Sequence, residues 1–284
     1  MQKEKATINK ITEDKYIEKL NTLKKKFGID TYENIDDIIK ILYDNNYVDG
    51  TIKMFLCSII WKLKQADVVN VVSLDKYRKK VKELQIKYQK FVEKNKLNEK
   101  QKEKYMKWSD IENIYEKIEK TGSLKEKLII GLYVLTPPRR LEYVDMYIAN
   151  KKPTQIDNNK NYYINTKKGY FLFVTYKTAK TYGIKKISIP KKLDELIKLW
   201  IKENNLNDAD KLFHIEKNYN LTKFIKRTFK KYGGNKISIQ LLRHSYISDY
   251  ELNRTNKTKK QRTILAEKMA HNVMQQLDYV KNDG

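Results

Sequence analysis

Residues 123–142 read SLKEKLIIGLYVLTPPRRLE, and this stretch decides how the rest of the chain is organised. Ser123 with Glu126 three residues on forms a capping box, which satisfies the free amide hydrogens at a helix start. The apolar run Leu128–Leu135 carries the helix to Thr136-Pro137-Pro138. It stops there because proline lacks an amide hydrogen and disfavours helix in the residue before it. The chain leaves in a turn that presents Arg139, Arg140 and, three residues after the first, Glu142.

Upstream, Ser109-x-x-Glu112 reads as a second capping box and a second helix start. Downstream come three strand-like segments, Tyr162–Asn165, Tyr170–Tyr176 and Ile184–Ile189, rich in aromatic and β-branched residues with Gly169 and Gly183 in the turns. They predict a small antiparallel sheet. Helices are expected again at about 192–204, 220–231, 239–252, 257–269 and 273–281. The fold class is mainly α with a small antiparallel β-sheet: an all-helical N-terminal module followed by an α+β domain.

The first hundred residues carry apolar residues at helical spacing over 13–27, 34–44, 51–65 and 73–95. Tyr77, Val81, Leu84, Tyr88 and Phe91 make one stripe on the last of these, read as core. Residues 96–107 lose the periodicity and read as a linker. The expected division is a tail over 1–12, a helical module over 13–95, the linker over 96–107 and a second domain over 108–284. Cys57, the only cysteine among 284 residues, reads as a small buried hydrophobe, and no disulfide is possible within the chain. The absence of a long apolar run or a signal-peptide core predicts a soluble, intracellular protein.

Lys and Arg outnumber Asp and Glu by 60 to 35, a net charge of +25. Such an excess attracts polyanions and makes nucleic acid the leading partner. The competing origin is a coding bias that inflates Lys, Ile, Asn and Tyr. Arg139, Lys177, Arg243, His271 and Tyr279 follow one another along the second half. They match what metal-free attack on a phosphodiester requires. A phenol forms a covalent phosphotyrosine. Guanidiniums hold the non-bridging oxygens, and a lysine hands a proton to the departing sugar oxygen. No Walker loop and no ligand-spaced cluster of His, Cys or carboxylates points to a nucleotide, cofactor or metal.

On these residues the chain resembles the tyrosine recombinases, the phage-type integrases. Thr136-Pro-Pro-Arg139-Arg-Leu-Glu142 looks like the first box of the family, with prolines where glycine is usual. Its spacing selects Arg139 as the phosphate ligand, leaves Arg140 as a neighbour and makes Glu142 a buttress. Lys177, favoured over Lys180, sits where the family places its lysine on a β-hairpin. Gln240-Leu-Leu-Arg243-His244 is similar to the second box, with Gln240 in place of histidine; His244 packs beside the site and His214 is structural. Tyr279 follows His271 by 279 − 271 = 8 residues, where the family shows about nine, and only 284 − 279 = 5 residues follow Tyr279. That is too few for the extra C-terminal helix that many relatives dock onto a neighbour.

The resemblance implies a site-specific recombinase or integrase working through a 3′-phosphotyrosine. It further implies double-stranded DNA as substrate, a homotetramer on paired sites, no cofactor and no metal. The Lys/Ile/Asn-rich composition is similar to that of integrases from AT-rich mobile elements such as viruses and virophages, which would act in the cytoplasm or nucleus of a host. Two alternatives remain: a type IB topoisomerase that relaxes supercoils, and a DNA-binding relative that has lost the chemistry.

The charge generates the first prediction. Affinity for duplex DNA measured by fluorescence anisotropy falls steeply with salt, each neutralised phosphate contributing about −0.9 to the slope of log K against log salt. A flat salt dependence would show that +25 is coding bias.

Overall fold

The computed structural model describes residues 8, 10–65, 71–215, 217–253 and 257–282, and the chain divides into two compact units between Lys94 and Asn95. The first unit is built from α1 (Lys10–Phe27), α2 (Ile35–Asp44), α3 (Asp49–Leu63) and α4 (Val71–Glu93). Asn34 caps α2 by accepting from the Asp37 amide. The apolar face of α3 (Ile52, Phe55, Leu56, Ile59) meets Leu23 of α1, Ile38 and Leu42 of α2, and Tyr77 and Leu84 of α4. The stripe predicted as core on the long helix is core only in its first half. Tyr88 is 59% exposed and Phe91 38%. Cys57 is half-buried rather than buried, on the flank of α3; burial pushes its thiol up, against the opposing pull of Lys53.

Residues 96–107, expected to be a featureless linker, carry a one-turn helix, α5 (Glu99–Lys102), held by a capping box between Asn98 and Gln101. Leu97 and Met106 on either side of it are buried in the second unit's core. The polar lysines and glutamates between them hide these two apolar anchors from a periodicity reading.

The second unit continues with α6 (Trp108–Thr121) and α7 (Leu124–Val134). The Ser123/Glu126 capping box forms as predicted, and Glu126 also takes Lys231 and Tyr232. Ser109 does not cap α6. The helix begins at Trp108, two residues earlier than a Ser109 cap would start it, with Lys107 at the cap, and Glu112 instead accepts from the Trp108 indole at 2.8 Å.

The sheet contains β1 (Met146–Ala149), β2 (Asn161–Ile164), β3 (Tyr170–Phe173) and, after the single turn α8 (Ala179–Tyr182), β4 (Lys185–Ser188). Its order is β1-β2-β3-β4. The three strands expected from sequence pair antiparallel. β1 adds to β2 in parallel, Met146 opposite Asn161, so the sheet is mixed rather than antiparallel. Four residues directly after a charged turn are too few to show a period of two, which is why β1 escapes the sequence reading. Residues 209–212 cover its other side, with Leu212 N–H bonding to the Met146 carbonyl at 2.8 Å. A covered edge is protected from pairing with another chain.

Five helices complete the unit: α9 (Lys191–Glu203), α10 (Asn218–Lys231), α11 (Ile239–Asn253), α12 (Lys259–Lys268) and α13 (Val273–Tyr279). α7 packs between α6 and α9, while α11 contacts α6 on one side and α13 on the other. The fold is mainly α with a small sheet. No described helix is long and apolar enough to cross a membrane.

Gly169 tests the packing. Tyr163 donates to Asp194 Oδ1 at 2.6 Å and Lys198 meets the other oxygen at 2.7 Å. A methyl group on Gly169 would collide with the Asp194 carboxylate and the Tyr163 ring. Gly169→Ala should therefore cost on the order of 2 kcal/mol, read as a fall in thermal midpoint; an unchanged midpoint would show that the hairpin turn is slack.

Candidate active site

Arg243, on the second turn of α11, is wholly buried. Its Nη1 donates to the Pro138 carbonyl at 2.7 Å and to the Met269 carbonyl at 3.1 Å. Its Nη2 lies 3.0 Å from His271 Nδ1. An arginine can only donate, so Nδ1 accepts and the neutral His271 carries its proton on Nε2. That Nε2 is buried without a hydrogen-bond partner, as are Nε of Arg243 and Nε and Nη2 of Arg139. Unpartnered buried donors are uncommon and call for an acceptor.

Tyr279, the last residue of α13, sits over this cluster. His271 stacks on its ring with centroids 5.4 Å apart and planes at 25°. His244 lies on it at 4.8 Å, and the Arg243 guanidinium is 5.0 Å from its centre. His244 Nδ1 is 2.8 Å from the Tyr279 carbonyl. A carbonyl only accepts, so Nδ1 holds the proton, and His244 Nε2 faces the Gln240 amide nitrogen at 3.4 Å. Burial pushes the Tyr279 phenol up. The charges of Arg243 and Arg140, with polar contacts from Gln240 and Arg243, outweigh it and hold the phenol below its ordinary value.

The two arginines of the Thr-Pro-Pro-Arg-Arg turn part company. Arg139, 1% exposed, turns inward. Its guanidinium stacks 3.9 Å from the Phe173 ring centre, donates to the Lys268 carbonyl at 2.7 Å and pairs with Glu142 at 3.8 Å. Neither Glu142 oxygen has a hydrogen-bond partner. Arg140 reaches the Tyr279 hydroxyl with Nη2 at 3.4 Å and the Ala270 carbonyl with Nη1 at 3.3 Å. Two bonds grip the turn itself: Arg243 holds the Pro138 carbonyl, and Tyr133 donates to the Arg140 carbonyl at 2.7 Å.

Of the residues singled out in the sequence, Arg139, Glu142, Arg243, His244, His271 and Tyr279 are gathered here, with Gln240 at the exposed rim. Lys177 and Lys180 are not. Both are exposed in the segment between β3 and β4, with no hydrogen bond or ion pair among the described residues. His214 is an exposed loop residue far from a structural role in the core.

Three residues were missed. Asn161, 1% exposed, uses all four of its hydrogen-bonding positions. It accepts from the Val174 and Thr175 amides at 2.9 and 3.0 Å, and donates to the Glu142 and Thr175 carbonyls at 3.0 and 2.9 Å. It thus ties the arginine turn to the end of β3, where the Lys177 turn begins. Gln276, fully buried, donates to Glu251 at 2.6 Å. Its Oε1 has no partner within hydrogen-bonding geometry, and the side chain favours a charged His271 against the larger effect of burial. Thr178 shares the Ala270 carbonyl with Arg140. Asn and Gln have no sequence signal for such roles; only burial marks them.

Among the described residues, no three His, Cys, Asp or Glu side chains cluster as metal ligands do. No protein-family match and no match among curated proteins was found. Among solved structures the chain is similar to a crystal structure of XerA recombinase, at 10% identity and a TM-score of 0.44, over 96% of this chain and 87% of that one. Likeness at that level decides neither fold nor function by itself.

The buried imidazoles set a pH dependence. Burial, reinforced for His271 by Arg243, pulls His271 down to about 3 and His244 to about 4. The unfolded chain takes up these protons near pH ~6.5 and the folded chain does not, so their contribution to stability is complete above that value and is lost as pH falls. Lowering the pH from about 7 to about 5 should cost on the order of 3 kcal/mol in urea unfolding. Constant stability across that window would mean that these imidazoles are solvated.

Proposed function

We propose that this chain is a tyrosine-nucleophile DNA strand transferase, a site-specific recombinase or integrase acting on double-stranded DNA. The observation that carries this reading is the setting of Tyr279. Its hydroxyl is held below its ordinary value by Arg243 and Arg140, in a cluster where N–H groups of Arg139, Arg243 and His271 are buried without a hydrogen-bond partner. A phosphate diester is the ligand such a set of donors suits.

In the proposed reaction Tyr279 attacks as the phenolate, its proton having passed to solvent. The Oη–P bond forms and the P–O5′ bond breaks, leaving a 3′-phosphotyrosine and a free 5′-hydroxyl. Arg139 and Arg243 donate to the non-bridging oxygens, where negative charge builds, and His271 donates through its unpartnered Nε2–H. Lys177 protonates the departing 5′ oxygen from the exposed turn after β3. A 5′-hydroxyl from a second strand reverses the step, returning the proton and freeing Tyr279. The phosphodiester bond energy is retained throughout, so no nucleotide is consumed.

The +25 charge supports DNA as the substrate. The helical first unit would act as the second half of the grip on the duplex, and strand exchange would need four copies on paired sites. Integration of a mobile or viral genome is the role that fits such a reaction together with the Lys/Ile/Asn-rich composition.

The test uses a pool of random-sequence duplexes carrying one nick, so that the freed strand diffuses away and the adduct is trapped. Wild type should form a covalent protein–DNA adduct on denaturing gels, mapped by mass spectrometry to Tyr279. Tyr279→Phe, which removes one oxygen and no charge, should abolish the adduct while DNA affinity stays within a few-fold. An adduct that survives would move the nucleophile to Tyr246 or Tyr250 on α11. DNA binding with no wild-type adduct would reduce the chain to a binding protein.

A further inference from the structure

Arg140 is passed over by a motif reading because Glu142 stands three residues after Arg139 and two after Arg140. The fold reverses their standing at the phenol. Arg139 has one Nη on the Lys268 carbonyl, the other beside Glu142, and its plane against Phe173. Arg243 lies against the face of the Tyr279 ring with its Nη atoms engaged by Pro138, Met269 and His271. Arg140 places Nη2 3.4 Å from the Tyr279 hydroxyl, and joins Arg243 in acting on that phenol.

Its position is set from both ends. The Tyr133 hydroxyl holds the Arg140 carbonyl at 2.7 Å. Nη1 rests on the Ala270 carbonyl, which Thr178 also meets at 3.3 Å. Ala270 has φ of 58°, the left-handed region that non-glycine residues rarely adopt. This strained residue turns its carbonyl toward Arg140 immediately before His271. The side chain is also half-exposed, unlike Arg139 and Arg243, and so remains open to a ligand.

We propose that Arg140 is a further catalytic residue: its guanidinium holds the Tyr279 hydroxyl oxygen for attack and then meets the phosphoryl oxygens as the Oη–P bond forms. The proposal rests on Tyr279 being the nucleophile. A phenolate in a buried site needs adjacent positive charge, and here the choice is narrow. Around the phenol stand Arg140 from the turn after α7, Arg243, His244 and the Gln240 amide from α11, and His271 from the turn before α13. Lys281 lies beyond His244, and Lys268 of α12 contributes its carbonyl to Arg139. Both imidazoles are neutral at ordinary pH, which leaves Arg140 and Arg243 as the charges on Tyr279.

The rival role is a tether that merely fixes the Ala270 carbonyl. The experiment that separates them labels the tyrosines of the full chain with carbon-13 at the ring carbon bearing oxygen. Tyr279→Phe identifies the Tyr279 resonance, and its titration is followed with pH. Arg140→Ala should raise the titration midpoint of Tyr279 by about one unit or more, because a positive charge that favours the phenolate is removed. Arg140→Lys should restore most of the shift.

On the nicked duplex pool, Arg140→Ala should slow single-turnover cleavage by ~100-fold near neutral pH, the deficit shrinking as pH rises and more phenolate forms. A tether would give an unmoved titration and the same fractional loss of rate at every pH, which overturns the proposal. Should Arg140→Ala fail to fold, Arg140→Gln keeps a donor for Ala270 without the charge and gives the same two comparisons. If wild type never cleaves DNA while the titration still moves, the strand-transferase reading falls and the hold of Arg140 on the phenol stands.

Discussion

Everything in the candidate site hangs on one buried cation. A guanidinium removed from water is costly unless its donors find acceptors. Arg243 meets this cost with the carbonyls of Pro138 and Met269 and the Nδ1 of His271. Those acceptors come from the turn after α7 and from the segment between α12 and α13, so one side chain on α11 ties together three stretches far apart in sequence. Burial pulls the Arg243 guanidinium below its ordinary value, and Tyr279 pulls it back.

The electrostatics of the neighbours follow from that placement. Burial keeps His244 and His271 neutral with fixed tautomers, and the buried charge of Arg243 adds to that effect, more for His271 than for His244. The same charge has the opposite effect on a phenol, whose ionised form is negative. Desolvation alone would push Tyr279 up, as it does Tyr133 and Tyr143 nearby. Tyr279 differs because Arg243 and Arg140 face it directly. Glu142 balances part of this charge from beside Arg139, and its unpartnered oxygens show a pair held by attraction more than by hydrogen bonding.

The arginine turn shows how a local departure can be accommodated. Prolines at 137 and 138 fix the backbone of the turn at those two positions and leave no amide hydrogen there to satisfy. A carbonyl on each side of Arg139 is then gripped, Pro138 by Arg243 and Arg140 by Tyr133. Asn161 braces the same turn from the sheet through the Glu142 carbonyl. Asn161 thus supports the turn with all its hydrogen-bonding positions used, while Nε of Arg243, Nε and Nη2 of Arg139 and Nε2 of His271 are left without a hydrogen-bond partner.

Helices declare themselves through spacing and caps, and the sequence by itself determined nearly all of them: α1 to α4, α7 with its Ser123 box, and α9 to α13 lie within a few residues of their expected ranges. The β2, β3 and β4 strands were legible for the same reason, since their aromatic and β-branched residues are local signals. What only the tertiary structure decided was every feature whose physics is long-range. β1 exists because β2 and residues 209–212 complete its hydrogen bonds, not because four residues favour a strand. Leu97 and Met106 are anchors because a core lies under them. Residue types and spacing singled out Arg139, Arg243, His271 and Tyr279, but could not say which arginine would face the phenol. That choice belongs to the direction each side chain takes from a rigid turn, and Arg140, Asn161 and Gln276 acquire their contacts only when distant segments close around Arg243.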